Sequence, residues 1–270
     1  MNQNIENITF YVAFAFYIIA ALSYFVQISR LSKKIEKVAI FATLVGFSFH
    51  TIAMGARSIG AGRLPFSNQY EFALSFAWGI VLSFLVLYLI YRFGAIGAFV
   101  MPLALLVMGY ASLQSKAVRP LMPALQSLWL TFHVGTAILS YGAFALAAGI
   151  AVIYLIDLKK DEERKILKEA DVSDILSYRV TVFGLLMLTI VIISGAIWAQ
   201  KAWSRYWAWD PKETWSLITW IIYAIYIHLR LRRNWRGRAA ALFSIIGFAS
   251  VIFTFVGVNV LLPGLHSYVL

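Results

Sequence analysis

Residues 128–156 read LWLTFHVGTAILSYGAFALAAGIAVIYLI, a run with no Lys, Arg, Asp or Glu and a single histidine, His133. A hydrocarbon core about 30 Å thick is crossed by about 20 apolar residues in a helix. The run is therefore long for one crossing and is expected to extend into water at its inner end. Seven more apolar runs flank it, at about 9–28, 38–56, 70–91, 94–111, 178–199, 213–229 and 239–262. The chain of 270 residues is 61% hydrophobic and 13% charged, with mean hydropathy +0.80. A soluble domain carries about 25% charged residues, so this chain has too little solvating surface to live in water. The fold class that follows is all-α: a polytopic integral membrane bundle of about eight transmembrane helices, forming a single domain over 1–270. The longest polar connection, 157–177, is expected to hold only a short surface helix.

Charge placement orients the bundle. Arg30, Lys33, Lys34 and Lys37, then Arg92, then six cations between Lys159 and Arg179, then five between Arg230 and Arg238 fall on one side. Arg57, Arg63, Lys116, Arg119, Lys201, Arg205 and Lys212 fall on the other. Cytoplasmic loops carry the excess of Lys and Arg, so the first set faces the cytoplasm and both termini lie on the outer side. Most of the net +11 charge is then topogenic, which argues against a nucleic-acid partner. The start, MNQNIENITF, lacks a basic n-region, so the first run is read as a retained span. The absence of cysteine excludes disulfides, thiolate ligands and a thiol-reductant role.

Three segments then share the outer side: 112–127, SLQSKAVRPLMPALQS; the tryptophan-rich loop 198–215, WAQKAWSRYWAWDPKETW; and the tail 262–270, LPGLHSYVL. Their side carries seven cations against Glu6, Glu71, Asp210 and Glu213, a balance that suits an anionic ligand. Trp198, Trp203, Trp207, Trp209, Trp215 and Trp220 are six of the chain's nine tryptophans. The loop admits two readings. Tryptophans favour the membrane interface, and Asp210-Pro211-Lys212-Glu213 reads as a capped helix start. The density of rings also suits a platform for a flat ligand.

Only four histidines are present. His133 lies about five residues inside the outer end of its run, roughly 8 Å deep. His266 follows the break at Pro263-Gly264, so both can reach the level of the tryptophan loop. Two imidazoles, aromatic planes and nearby Arg and Lys suit haem, a flat macrocycle with axial histidine ligands and two propionates for cations to pair with. His228 sits just before the inner arginines, and an ionisable residue within a span is a functional candidate. His50 lies in 41–58, FATLVGFSFHTIAMGARS. Counted along the helices, it stands about 18 Å from the cytoplasmic face against about 5 Å for His228. Two axial ligands of one iron lie about 4 Å apart, from bonds of about 2 Å, so these boundaries do not pair them, and His50 is the weaker candidate.

WAWDPKETW at 207–215 resembles the tryptophan-rich "WWD" signature of the cytochrome c assembly family. QSLWLTFHVGTAILSYGAF, LPGLHSY and GRLPFSNQYEFALSFAW (62–78) resemble further segments of that family, in the same order, over about 45–265. The chain looks like the System II, CcsA/ResC-type group. The resemblance implies a haem-handling subunit of a holocytochrome c synthase (haem lyase) complex, in a bacterial plasma membrane or, if plastid, a thylakoid membrane. It implies b-type, non-covalently bound haem with His133 and His266 as outer axial ligands, and His228 as the membrane ligand. Trp207, Trp209, Asp210 and Trp215 would shape the platform. Apocytochrome c and a companion membrane subunit with a large outer domain would be its partners. No residue of this chain would act as a nucleophile. Alternatives are a haem-binding membrane regulator of haem synthesis and a transporter of another anionic amphiphile.

Overall fold

The computed structural model describes residues 2–158, 166, 170–262 and 264. Among them the helices are α1 (Asn2–Arg30), α2 (Lys33–Ala61), α3 (Gln69–Tyr91), α4 (Gly97–Ser112), α5 (Leu128–Asp157), α6 (Ala170–Trp203), α7 (Pro211–Arg233), α8 (Arg238–Ile252) and α9 (Val258–Leu261). A π-helical turn, Phe253–Gly257, joins the last two. No strand occurs among the described residues. Residues 159–165 and 167–169 of the 157–177 connection lie outside them, and 170–177, where a short surface helix was expected, form the first turns of α6.

Among the described residues seven stretches are long and apolar enough to cross a membrane: Gln3–Arg30, Lys33–Ala61, Gln69–Tyr91, Gly94–Ser112, Leu128–Asp157, Ser173–Trp203 and Arg238–Leu261. The eighth apolar run, 213–229, is helical within α7 but falls below that measure. Trp215, Trp220, Tyr223, Tyr226 and His228 dilute its aliphatic content, and Lys212, Glu213 and Arg230 bound it.

The helices gather into two compact units, residues 1–120 and 121–270. In the first, α1 packs against α2 and α4, and α3 against α4. Helix α2 ends where Gly62 takes a left-handed conformation (φ 65°) and returns its N–H to Ile59, a conformation that suits glycine. Helix α3 starts at Asn68, whose side chain accepts the Glu71 N–H at 2.9 Å.

In the second unit α5 packs against α6 and α8, and α7 against α6 and α8. Positions 142–151 of α5, GAFALAAGIA, are buried all round, as expected of a helix apolar on every face. Its small residues allow close approach, the usual means of helix association in lipid. Hydrogen bonds between helices complete the packing: Ser140 Oγ donates to Gly184 O at 2.9 Å, and Trp220 Nε1 to Thr189 Oγ1 at 2.9 Å. The Phe144 and Tyr223 rings stack at 3.7 Å, 3° from parallel.

Candidate functional site

His133, in the second turn of α5, rests on one face of α6. Its Nδ1 lies 2.8 Å from the Val191 carbonyl oxygen. A carbonyl only accepts, so Nδ1 carries the proton and the lone pair falls on Nε2. The ring lies nearly parallel to Trp198, with centroids 6.2 Å apart and planes 22° from each other. Trp198 is itself held, buried, by a 2.8 Å hydrogen bond from Nε1 to Ala124 O and by an edge contact with Trp203 at 4.8 Å. Lys201 places its ammonium 5.9 Å over the ring of Trp129.

The tryptophan loop is shorter than its sequence span suggests. Nothing in 198–203 breaks a helix, so α6 continues to Trp203 and ends where Ser204 turns left-handed (φ 58°). Trp198 and Trp203 are therefore helical, and the connection proper is 204–210. Within it Trp209 also has a left-handed backbone, φ 55°, which is costly for a bulky side chain, and the residue is 68% exposed. Glu213 holds it there. One carboxylate oxygen, Oε2, accepts the N–H of Ala208 at 2.8 Å and of Asp210 at 3.1 Å, one on each side of Trp209. Asp210, buried, accepts in return from Lys212 N at 2.9 Å and from the Glu213 backbone, completing a capping box. The box starts α7 and also locks an exposed indole, with the Trp207 ring edge-on to it at 5.7 Å. Trp215 packs on Phe253 at 4.2 Å, in the π-helical turn. Ahead of the apolar run 213–229, partial burial lowers the Lys212 ammonium to about 8, against the upward pull of Asp210.

The other sequence candidates separate. His266 lies outside the described residues. Gly264, two positions earlier, rests against the loop: a Cβ there would collide with Asp210 Oδ2 and stand 2.9 Å from Pro211 Cδ. His228 is on an exposed face of α7. His50 is fully buried in the first unit with both ring nitrogens engaged, Nδ1 by the Tyr17 hydroxyl at 3.2 Å and Nε2 by Leu74 O at 3.1 Å. Ligation by His50 requires giving up one of these bonds.

The cationic surface also changes. Arg57 is only 1% exposed and its Nη2 lies 2.9 Å from Glu71 Oε1, while Arg63 reaches Glu71 Oε2 at 2.6 Å. Lys116 donates to Asn7 Oδ1 at 2.9 Å beneath the rings of Phe10, Tyr11 and Tyr70. These three cations serve packing in the first unit. Sequence reasoning missed Val191 and Gly195 as the seat of His133, although an isolated glycine in a helix is a known sign of close packing. It also read Glu213 only as a cap.

A profile described as "Cytochrome C assembly protein" matches residues 66–266. The chain is 35% identical to "Cytochrome c biogenesis protein CcsA" of Guillardia theta, over 98% of this chain and 97% of that one. It is 37% identical to the protein of the same name in Prochlorococcus marinus (strain NATL2A), over 85% and 84%. Its fold resembles "Cytochrome c Heme Lyase CcmF", with TM-score 0.73 and 14% identity, over 94% of this chain and 47% of that one. A profile match running from the start of α3 to the tail, with relatives that match along nearly their whole length, makes the chain a member of the cytochrome c assembly protein family.

Proposed function

We propose that the chain acts in cytochrome c biogenesis, holding haem non-covalently at the outer face of the membrane and presenting it to apocytochrome c for attachment at Cys-x-x-Cys-His. The membrane is a bacterial plasma membrane or, in a plastid, a thylakoid membrane. The seat of His133 carries this reading: its Nδ1 is committed to Val191 O at 2.8 Å, so the lone pair stands on Nε2, the atom an iron takes. Among the described residues no group of three or more His, Asp or Glu could hold an ion by itself. An imidazole beside indoles fits a flat group that brings most of its own ligands.

His266 supplies the second outer ligand, a role supported by the contact of Gly264 with Asp210. Trp207, Trp209 and Trp215 form the platform that Asp210 and Glu213 brace. Lys201, Arg205 and Lys212 supply the charge that pairs with propionates. His228, on the exposed face of α7, receives haem on the cytoplasmic side. Addition of a thiol across a haem vinyl group forms one carbon–sulfur bond and moves the thiol proton to the neighbouring carbon. The step draws no nucleophile from this chain, whose part is to orient the haem and leave its vinyl edge accessible. With no cysteine of its own, the chain relies on other proteins to keep the incoming thiols reduced. A companion membrane subunit with a large outer domain completes the assembly.

The test is the reduced absorption spectrum of the detergent-solubilised protein, alone and with its companion subunit, for wild type, His133→Gly, His266→Gly and His228→Gly. Sharp low-spin bands weakened by each outer substitution and restored by added imidazole are expected. Bands indifferent to all three changes would refute haem ligation by these histidines and favour a transporter of another anionic amphiphile.

A further inference from the structure

We propose that Gly195, acting with the Val191 carbonyl, is the positioning residue that sets the direction and tautomer of the His133 imidazole. The inference rests on His133 being an axial ligand, and it names what makes that ligand competent.

Positions 191, 195 and 198 are spaced i, i+4 and i+7, so they lie on one face of α6. The Val191 carbonyl has two lone pairs. In an α-helix one of them takes the N–H four residues on, which belongs to Gly195. The second takes His133 Nδ1 at 2.8 Å. The neighbouring Ser194 hydroxyl turns mainly to Ile190 O, at 2.6 Å, and stands 3.2 Å from Val191 O. Helical side chains tilt towards the N-terminus and cover the turn before their own Cα. A side chain at 195 would therefore cover the lone pair that His133 uses. The distances agree: a Cβ at 195 would stand 2.8 Å from both Nδ1 and Cε1 of His133 and 3.8 Å from Nε2. The ring lacks an easy retreat, because Trp198 flanks it in near-parallel contact and is pinned to Ala124 O. The seat thus has three sides: a carbonyl that fixes the proton on Nδ1, a missing side chain that lets the ring reach that carbonyl, and an indole plane that fixes its tilt.

The substitution Gly195→Ala tests this, since alanine favours a helix over glycine and the backbone gives no reason for the fold to suffer. Gly135→Ala, two residues past His133 on α5, is the control, because nothing lies within 4 Å of its new Cβ. The reduced spectrum, haem content, haem midpoint potential and apo-protein thermal transition are measured for both, beside His133→Gly. Gly195→Ala is expected to lower haem retention about 10-fold or more, to regain low-spin bands with added imidazole, and to keep the transition of the control. Whatever haem remains is expected to have a higher potential, because an imidazole without its Nδ1–H···O bond is a weaker donor. Wild-type spectrum and potential in Gly195→Ala, with His133→Gly bleached, would overturn the inference and leave His133 as the ligand. Haem loss that imidazole does not restore, with a lowered transition, would make Gly195 a packing residue only and overturn it too. A spectrum unchanged in His133→Gly would remove the ligand itself, and the inference with it.

Discussion

Trp209 has a left-handed backbone, a largely exposed ring and a carboxylate bonded to the amides on either side of it. An indole left in that state by chance would relax; here Glu213 prevents it. Glycine adopts φ 55° without the penalty of about 1–2 kcal/mol that an L side chain meets there. Trp209→Gly should therefore leave the thermal transition unchanged or slightly raised, while haem retention falls. If the ring is only an interfacial anchor, retention will match wild type. Glu213→Ala should do both, losing about 1–2 kcal/mol through the broken capping box and lowering haem retention because Trp209 is released. Thermal melts paired with haem content separate the two effects.

At the scale of elements, the start of α3 is tied to three other segments of the first unit. Glu71, 0% exposed, accepts from Arg57 Nε at 3.0 Å, from Arg63 at 2.6 Å and from the Ser67 N–H at 2.9 Å. Arg57 also donates to Lys116 O at 2.7 Å and stands 3.8 Å from Glu6. One carboxylate thereby joins the end of α2, the loop before α3 and the segment after α4. Removing one partner of a buried ion pair strands the other charge, at about 3–5 kcal/mol. Glu71→Gln should therefore reduce folded yield and lower the thermal transition far more than Arg63→Gln, whose cation is the more exposed. Equal transitions for the two variants would show that Glu71 is not the hub.

For the molecule as a whole, α7 decides the topology. It joins the tryptophan connection to the basic stretch Arg230–Arg238, yet is less apolar than the seven other candidate spans. By charge asymmetry its two ends are expected on opposite sides of the membrane. The chain has no cysteine, so single substitutions report accessibility against a silent background. In intact cells, an impermeant thiol reagent should label Tyr206→Cys, and Arg236→Cys only after the membrane is opened. Labelling of both from the same side would mean that α7 does not cross and that His228 has been assigned to the wrong face.

The sequence alone determined the features that depend on neighbours within a few turns. Apolar runs of about 20 residues became helices, Asp210-Pro211-Lys212-Glu213 became a capping box, and the glycine after α2 became its terminus, because helix formation and capping are governed by contacts three or four residues apart. The difference between His50 and His133 was not legible at that range. Each is a lone histidine in an apolar helix. His50 finds donor and acceptor on α1 and α3, 33 and 24 residues away, and becomes part of the packing. His133 meets a carbonyl 58 residues away, beside a glycine, and its direction is set by that pair. The same holds for Arg57, counted in the sequence as surface charge and buried by Glu71. An imidazole or a guanidinium takes its role from the groups that desolvate it and bond it, and those groups come together only when distant helices pack.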